Sequence, residues 1–252
     1  MEVEEEGLTS WKGSLTLSTE GLISFTNGKA YASHGEAHFV GACGGLHKVF
    51  ILGFELCFME RIGIWGGSIT YGASDFEKGG WANRLMMFFE RDDIGVHNLG
   101  IGGDRTYDLV DRFEGECKTR CPDVILFAIG TNDSQYVGSR DNPSTSLEKF
   151  RDNLQWLIDT ARKCSGKIGF VGLTKVDESK VAPWDGDNYY DNENVEKYDA
   201  VVKDVCEING LPYLYMFDLL GMDDLEDGLH PNASGHEKMF LRIRDFVKEE
   251  FG

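Results

Sequence analysis

Four short segments of the sequence combine glycine with side chains that can do chemistry. They lie at residues 64–72, 97–104, 128–133 and 227–232. Each is found at the carboxyl end of an apolar run typical of a buried strand, or just beyond it. In an open parallel sheet the carboxyl ends of the strands meet at one edge, and ligands bind in the crevice there. The four segments are therefore predicted to face a common crevice.

The first and fourth segments contain the residue types of a nucleophilic site. Ser68 follows two glycines that permit a tight turn, so its hydroxyl can point into the crevice. Asp227 stands three residues before His230. At that spacing the carboxylate can accept one ring N–H and fix the tautomer, while the other ring nitrogen faces the serine. Together the three residues provide a nucleophile, a base and an orienting acid.

The second and third segments contain donors suited to a developing negative charge. Glycines around Gly103 expose backbone N–H groups, and Asn132 can donate from its side-chain amide. With the Ser68 amide they make three oxyanion donors, which completes the set needed for acyl transfer. A dinucleotide site is the alternative, but the glycine spacing is not G-x-G-x-x-G and the segment does not follow the first strand of the sheet.

Taken together, the four segments resemble the blocks of the SGNH/GDSL hydrolases, a superfamily of esterases and lipases. The resemblance covers roughly residues 60 to 250 and is most specific in the Gly-x-Asn-Asp and Asp-x-x-His-Pro segments. It implies that Ser68 is the nucleophile and that Asp227 and His230 complete the triad. It also implies that Gly103 and Asn132 are oxyanion-hole partners of the Ser68 amide.

One residue departs from the pattern of that family. Gly67 stands where the family normally has the aspartate of Gly-Asp-Ser.

We predict a serine esterase that hydrolyses small acyl esters, such as acetyl and other short-chain esters. The alternative is a degenerate protein of SGNH fold that binds an acylated or glycan ligand with little turnover, because glycine removes the carboxylate beside the nucleophile and loosens the backbone.

The elements that must position these residues follow from hydrophobic periodicity. Continuous apolar runs alternate with helical patterns, which predicts an α/β fold with a parallel sheet covered on both faces. With the resemblance, this becomes a three-layer α/β/α flavodoxin-like sandwich with a central parallel five-stranded sheet. The predicted strands lie in the runs 62–65, 96–99, 124–129, 168–173 and 211–217.

Three helices are predicted from apolar residues spaced three and four apart. One runs from about residue 146 to 163, with Thr145 and Glu148 at the spacing of a capping box. A second carries Val195, Tyr198, Val202 and Val205, and the last runs from about 233 to 251. We expect the esterase domain of SGNH-hydrolase type to occupy residues 59–252, after an N-terminal extension of uncertain structure at residues 1–58.

The segment between residues 174 and 192 is long for a connection between a strand and a helix, and it is aromatic. Trp184 and Tyr189 are the predicted substrate-binding residues, with Tyr190 next to them. The alternative is that these aromatic side chains only anchor the loop. The sequence shows no extended apolar lid, which favours short acyl chains over long-chain lipids.

Composition excludes several classes of partner. The chain has 252 residues, and 43 acidic against 25 basic residues give a net charge of −18. Such a surface repels nucleic acid and anionic membranes, so neither is an expected partner. The longest apolar run, at 49–59, is too short to span a bilayer. A small-molecule ester is the expected partner, and the sequence gives no prediction of oligomeric state.

Six cysteines are scattered through the chain without the spacing of a disulfide framework or a zinc site. Cys117 and Cys121 are one helical turn apart, but no second pair of Cys or His residues stands at a suitable distance. We therefore expect reduced thiols, a cytoplasmic protein, and neither a metal nor a cofactor.

Overall fold

The computed structural model describes residues 60–252 throughout, and before them it describes six short strands. Contacts between Cα atoms divide the chain into two units, Met1–Phe58 and Met59–Gly252. In the first unit the strands form three antiparallel pairs. They are β1 (Leu15–Leu17) with β2 (Ile23–Phe25), β3 (Lys29–Ser33) with β4 (Glu36–Val40), and β5 (Val49–Ile51) with β6 (Phe54–Leu56).

A five-stranded parallel sheet forms the centre of the second unit, which confirms the predicted fold class. Its strands are β7 (Arg61–Gly66), β8 (Gly95–Gly100), β9 (Val124–Ala128), β11 (Lys167–Val171) and β13 (Tyr213–Leu214). The order across the sheet is β13-β11-β9-β7-β8. Strand β8 is added on one side of β7, and all later strands of the sheet are added on the other side, so β7 lies at the switch point of the strand order. The switch point of such a sheet opens a crevice at its carboxyl edge. A separate antiparallel ribbon pairs β10 (Tyr136–Val137) with β12 (Asn188–Tyr189).

Helices cover both faces of the sheet. The seven helices are α1 (Ser68–Tyr71), α2 (Gly80–Phe89), α3 (Thr106–Arg120), α4 (Leu147–Ala161), α5 (Glu178–Val181), α6 (Asn192–Asn209) and α7 (Ala233–Phe251), all within the part of the chain from residue 60 onward. Apolar residues of α3, α4 and α6 pack on one face, and those of α2 and α7 pack on the other. The result is the predicted three-layer sandwich.

Alternation along the strands explains why two cores form. Ile62 and Ile64 of β7 face the core that contains α2 and α7. Trp65 belongs to the opposite core, where its ring lies 4.9 Å from that of Phe113 in α3. Phe127 of β9 completes this aromatic group, with its ring centroid 5.1 Å from that of Phe113. The central strands are therefore buried on both sides, as their continuous hydrophobicity predicts.

Two local predictions were wrong. Ser146, and not Thr145, is the N-cap of α4: its hydroxyl accepts from the amide of Lys149 at 3.3 Å. The amide of Thr145 instead donates to the carbonyl oxygen of Asp133, which draws this residue into the loop that carries Asn132. The predicted strand 211–217 is shorter, because β13 is an edge strand that pairs only with β11 at residues 213–214.

The end of β7 leaves no room for a side chain at Gly66. A Cβ atom there would overlap the carbonyl oxygen of Ala128 and the hydroxyl of Thr70. We expect Gly66→Ala to lower the free energy of unfolding by about 3 kcal/mol, as overpacking does. The matched control is Gly115→Ala on the exposed side of α3, where no atom lies within 4 Å of the new Cβ. It should raise stability by roughly 0.5–1 kcal/mol, since glycine is unfavourable inside a helix.

Urea unfolding of both variants checks this expectation. Equal stability of the two variants would contradict the close approach of β7 and β9 at Gly66.

Candidate active site

Ser68 lies at the switch point of the sheet. It is the first residue of α1 and directly follows β7, after an extended N-cap residue, Gly67. The first amides of a helix have no acceptor within the helix, so the N–H of Ser68 is open to a ligand. Its hydroxyl is half-buried at the base of a cleft.

His230 and Asp227 meet Ser68 across the sheet edge, from a loop before α7. The Nε2 atom of His230 lies 2.8 Å from Oγ of Ser68, and its Nδ1 lies 2.7 Å from Oδ2 of Asp227. A carboxylate oxygen accepts from Nδ1–H, which leaves Nε2 as the acceptor of the serine proton. The three predicted residues are therefore brought together in the order aspartate, histidine, serine.

Asp227 is fixed by its own loop. Its Oδ1 accepts from the amides of Leu229 and His230, at 2.9 and 2.7 Å. Burial alone would raise the pKa of the Asp227 carboxyl, but the hydrogen bonds from His230 and Leu229 outweigh it and hold the pKa below its ordinary value. The carboxylate is thus ionised at neutral pH and can orient the imidazole and stabilise its charged form.

Gly103 and Asn132 lie in the same cleft as Ser68 and His230. Gly103 has a φ angle of +85°, which glycine adopts without strain. Asn132 follows β9, and its Nδ2 donates to the carbonyl oxygen of Asp104 at 2.9 Å. A Cβ at Gly67 would lie 3.2 Å from this nitrogen, so the amide stands beside the turn that presents Ser68.

Asp133 ties the loops of Asn132 and Gly103 together. Its carboxylate accepts from the amide of Thr106, at 3.0 and 3.1 Å to its two oxygens, and from the Thr106 hydroxyl at 2.6 Å. The Nδ2 of Asn153 in α4 donates to the same hydroxyl at 3.0 Å. Asp133 is fully buried, and burial raises its pKa to about 6 despite the hydrogen bonds from Thr106. The residue after Asn132 thus anchors the start of α3, three residues after Gly103.

Arg112 of α3 holds the other end of the Gly103 loop. Its guanidinium donates to the carbonyl oxygen of Leu99 and to Oδ2 of Asp104, both at 2.8 Å. It also donates to Oε2 of Glu116 at 2.6 Å, and this same oxygen accepts from the indole of Trp65. The loop between β8 and α3 is therefore fastened on both sides of its exposed glycines.

A cleft of about 420 Å³ opens in front of Ser68. Its lining includes a polar wall of Arg105, Gln135 and Ser144 and the aromatic rings of Trp184 and Tyr190. The ring of Trp184 meets the imidazole of His230 edge-on, with centroids 5.7 Å apart. A second cavity of about 20 Å³ lies beside Ser68, lined by residues that include Ile129, Asn132 and Leu229. That volume holds about one water-sized group.

The structure brings Trp184 to the cleft but not Tyr189. Tyr189 belongs to the ribbon, where it pairs with Tyr136, and its ring lies 5.8 Å from the guanidinium carbon of Arg140. Successive side chains of an extended segment point to opposite sides. The neighbouring Tyr190 therefore points into the cleft, where its hydroxyl donates to Oδ1 of Asn132 at 3.0 Å.

Within the described residues, no group of three or more His, Cys, Asp or Glu side chains could hold a metal ion. Cys117 is buried in α3, and the thiol of Cys121 donates to the carbonyl oxygen of Lys118. None of the described helices is long and apolar enough to cross a membrane.

The chain belongs to the GDSL-like lipase/acylhydrolase family, whose model matches residues 64–238. The matched range includes all four predicted segments, from Ser68 to His230. The resemblance drawn from the sequence is thereby confirmed.

Two curated proteins are similar to this chain, and one of them is an esterase. A multidomain esterase of Ruminococcus flavefaciens is 31% identical over 216 residues, which cover 69% of this chain and 26% of that protein. An uncharacterized lipoprotein of Bacillus subtilis, YqeF, is 31% identical over 130 residues, 46% of this chain and 53% of its own. The chain thus spans about a quarter of the length of the multidomain esterase and about half of the length of YqeF. Cytoplasmic localisation stays a prediction.

Solved structures share the fold. The lipase/acylhydrolase from Enterococcus faecalis superposes with a TM-score of 0.61 at 21% identity, over 76% of this chain and 96% of that chain. At this identity the likeness concerns the architecture of the sheet and its helices.

The sequence gives no role to two residues that hold the site in place, Asp133 and Arg112. A carboxylate next to Asn132 in the third segment is a signal that could have found Asp133. The sequence places Tyr190 in the aromatic segment but does not indicate its contact with Asn132. Arg112 carried no signal, because its contacts depend on the distance between α3 and the end of β8.

The buried carboxyl of Asp133 predicts a specific pH dependence. Its pKa rises from 3.8 in the unfolded chain to about 6 in the folded protein. Between pH 4 and pH 6 the folded protein therefore keeps the proton of this carboxyl group, whereas the unfolded chain loses it. Wild-type stability relative to Asp133→Asn should therefore fall as pH rises from about 4 to about 6, and stay level above that. The difference amounts to ~3 kcal/mol for a shift of this size.

Denaturant unfolding of wild type and variant at several pH values measures this difference. Titration of the other carboxyl groups cancels in the comparison. A difference that does not change between pH 4 and 7 would contradict the elevated pKa of Asp133.

Proposed function

We propose that the protein is a serine esterase that hydrolyses short-chain acyl esters, with acetyl esters as the preferred class. The observation that supports this best is the continuous hydrogen-bonded chain from Asp227 through His230 to Ser68. Membership of an acylhydrolase family and the likeness to an esterase point to the same chemistry.

The first half of the reaction transfers the acyl group to the protein. Nε2 of His230 takes the proton of the Ser68 hydroxyl while Oγ forms a bond to the ester carbonyl carbon. The carbonyl oxygen becomes an oxyanion, which accepts hydrogen bonds from the amides of Ser68 and Gly103 and from Nδ2 of Asn132. As the intermediate collapses, the bond to the alcohol oxygen breaks and His230 delivers the proton to that oxygen.

The second half returns the protein to its starting state. A water molecule gives one proton to Nε2 of His230 and attacks the acyl carbon. The bond to Oγ of Ser68 then breaks, Oγ recovers the proton from His230, and the carboxylic acid leaves. Asp227 keeps the imidazole oriented in both halves.

The two cavities differ in size in a way that favours a small acyl group. The cavity of about 20 Å³ beside Ser68 has room for a methyl-sized group. The cleft of about 420 Å³ is large enough for the alcohol half of the ester. Its polar wall of Arg105, Gln135 and Ser144 favours an alcohol that carries hydroxyl groups over a plain alkyl chain.

The triad assignment predicts how a p-nitrophenyl ester series behaves. With the wild type, kcat/KM should be highest for the acetyl ester and fall with each longer acyl chain. Ser68→Ala should lose activity by at least about 10³-fold, because no other hydroxyl replaces the nucleophile. Circular dichroism of the variant serves as the control for its folding. Equal rates for Ser68→Ala and wild type would contradict the assignment.

Gly67 distinguishes an active esterase from a degenerate binding protein. A Cβ at this position would stand 3.2 Å from Nδ2 of Asn132, closer than most Cβ contacts, and 3.4 Å from the carbonyl oxygen of Asp104. We therefore expect Gly67→Asp to lower kcat, by about tenfold or more if the amide donor is displaced. A large gain in activity would instead show that the glycine has disabled the site, which is what the degenerate alternative requires.

A further inference from the structure

The side-chain amide of Asn132 is held at both ends. Its Nδ2 donates to the carbonyl oxygen of Asp104 at 2.9 Å, and its Oδ1 lies 3.0 Å from the hydroxyl of Tyr190. A backbone carbonyl oxygen can only accept, so the nitrogen of the amide must face Asp104. The amide oxygen then faces Tyr190, whose hydroxyl must donate. The two contacts together decide which end of the amide is the donor.

Tyr190 is itself rigidly placed. Its side chain is 2% exposed, and its backbone amide donates to the carbonyl oxygen of Val181 at 3.0 Å. Its ring packs edge-on against Trp184, with centroids 6.3 Å apart. Burial raises the pKa of the Tyr190 hydroxyl far above its ordinary value, so this group keeps its proton and stays a donor.

Asn132 has two N–H groups on Nδ2, and Asp104 takes one of them. The second has no acceptor among the residues that the structure describes. A Cβ at Gly67 would lie 3.2 Å from Nδ2, so this nitrogen stands beside the residue that precedes Ser68, and Asn132 and Ser68 line the same cleft. It is the group that would donate to the oxyanion in the proposed reaction.

We propose that Tyr190 is a positioning residue: its hydroxyl holds the Asn132 amide so that this second N–H stays aimed at the oxyanion. The inference rests on the proposed function, in which Asn132 is an oxyanion donor. Without the hydroxyl, Oδ1 loses its donor and only the bond from Nδ2 to Asp104 still holds the amide, whose terminal torsion has a broad energy profile. Tyr190 belongs to the long segment between β11 and α6, which lies outside the four motif segments.

The test is a double-mutant cycle in the full chain with p-nitrophenyl acetate as the probe. Tyr190→Phe keeps the ring and removes only the hydroxyl. Asn132→Ala should lower kcat by about 100-fold, and Tyr190→Phe should lower it by roughly tenfold with KM changed less than about twofold. In the Asn132→Ala background, Tyr190→Phe should have no further effect on kcat, because there is no amide left to orient.

Tyr213→Phe is the matched control. The hydroxyl of Tyr213 also donates to a side-chain oxygen, Oδ2 of Asp199 at 2.6 Å, and Tyr213 does not line the cleft. This variant should lower the thermal unfolding temperature and leave kcat unchanged. Thermal unfolding of Tyr190→Phe shows whether it loses stability to a similar extent.

The possible outcomes are distinguishable. Equal losses from Tyr190→Phe with and without Asn132 would mean a general structural effect and overturn the inference. An unchanged kcat in Tyr190→Phe, beside a large loss in Asn132→Ala, would also overturn it and leave the proposed function standing. An unchanged kcat in Asn132→Ala would overturn the oxyanion role and the inference with it.

Discussion

The hydrogen bond between His230 and Ser68 joins residues 162 positions apart in the chain, and the rest of the site depends on it. An imidazole accepts a serine proton only when its other nitrogen is held as a donor, and Asp227 does this from the same short loop. The loop in turn must reach the end of β7. The parallel sheet makes this possible because β7 lies at its switch point, where the carboxyl edge opens between diverging connections.

Ser68 and His230 are placed by the sheet, whereas Asn132 and Gly103 are placed by buried polar contacts. Asp133 and Arg112 fasten the loops of Asn132 and Gly103 to α3. A buried polar group destabilises the fold unless each of its hydrogen-bond partners is present. Such contacts therefore favour one arrangement of the two loops over others. The apolar cores on the two faces supply the stability that allows the site to contain a buried carboxyl group and exposed glycines.

The segment between β11 and α6 lies against two residues of the site. It contributes the aromatic wall of the cleft, with Trp184 against His230 and Tyr190 against Asn132. One loop thereby contacts both His230 and Asn132. In a protein with a net charge of −18, the cleft also includes the guanidinium of Arg105, whose Nη1 donates to the hydroxyl of Ser144 at 3.0 Å.

The sequence by itself determined the five strands, the helices α4, α6 and α7, and the family, and with the family the three-layer class, because periodicity and short-range motifs are local properties. It also named Ser68, Asp227 and His230, since their spacing and order are written in the chain. Only the tertiary structure decided that Tyr190 and not Tyr189 enters the cleft, and that Ser146 caps α4. Only it showed that Asp133, Arg112 and Tyr190 form hydrogen bonds to the segments of Asn132 and Gly103. These contacts join residues far apart in sequence, and a hydrogen bond depends on tenths of an ångström that no local pattern encodes.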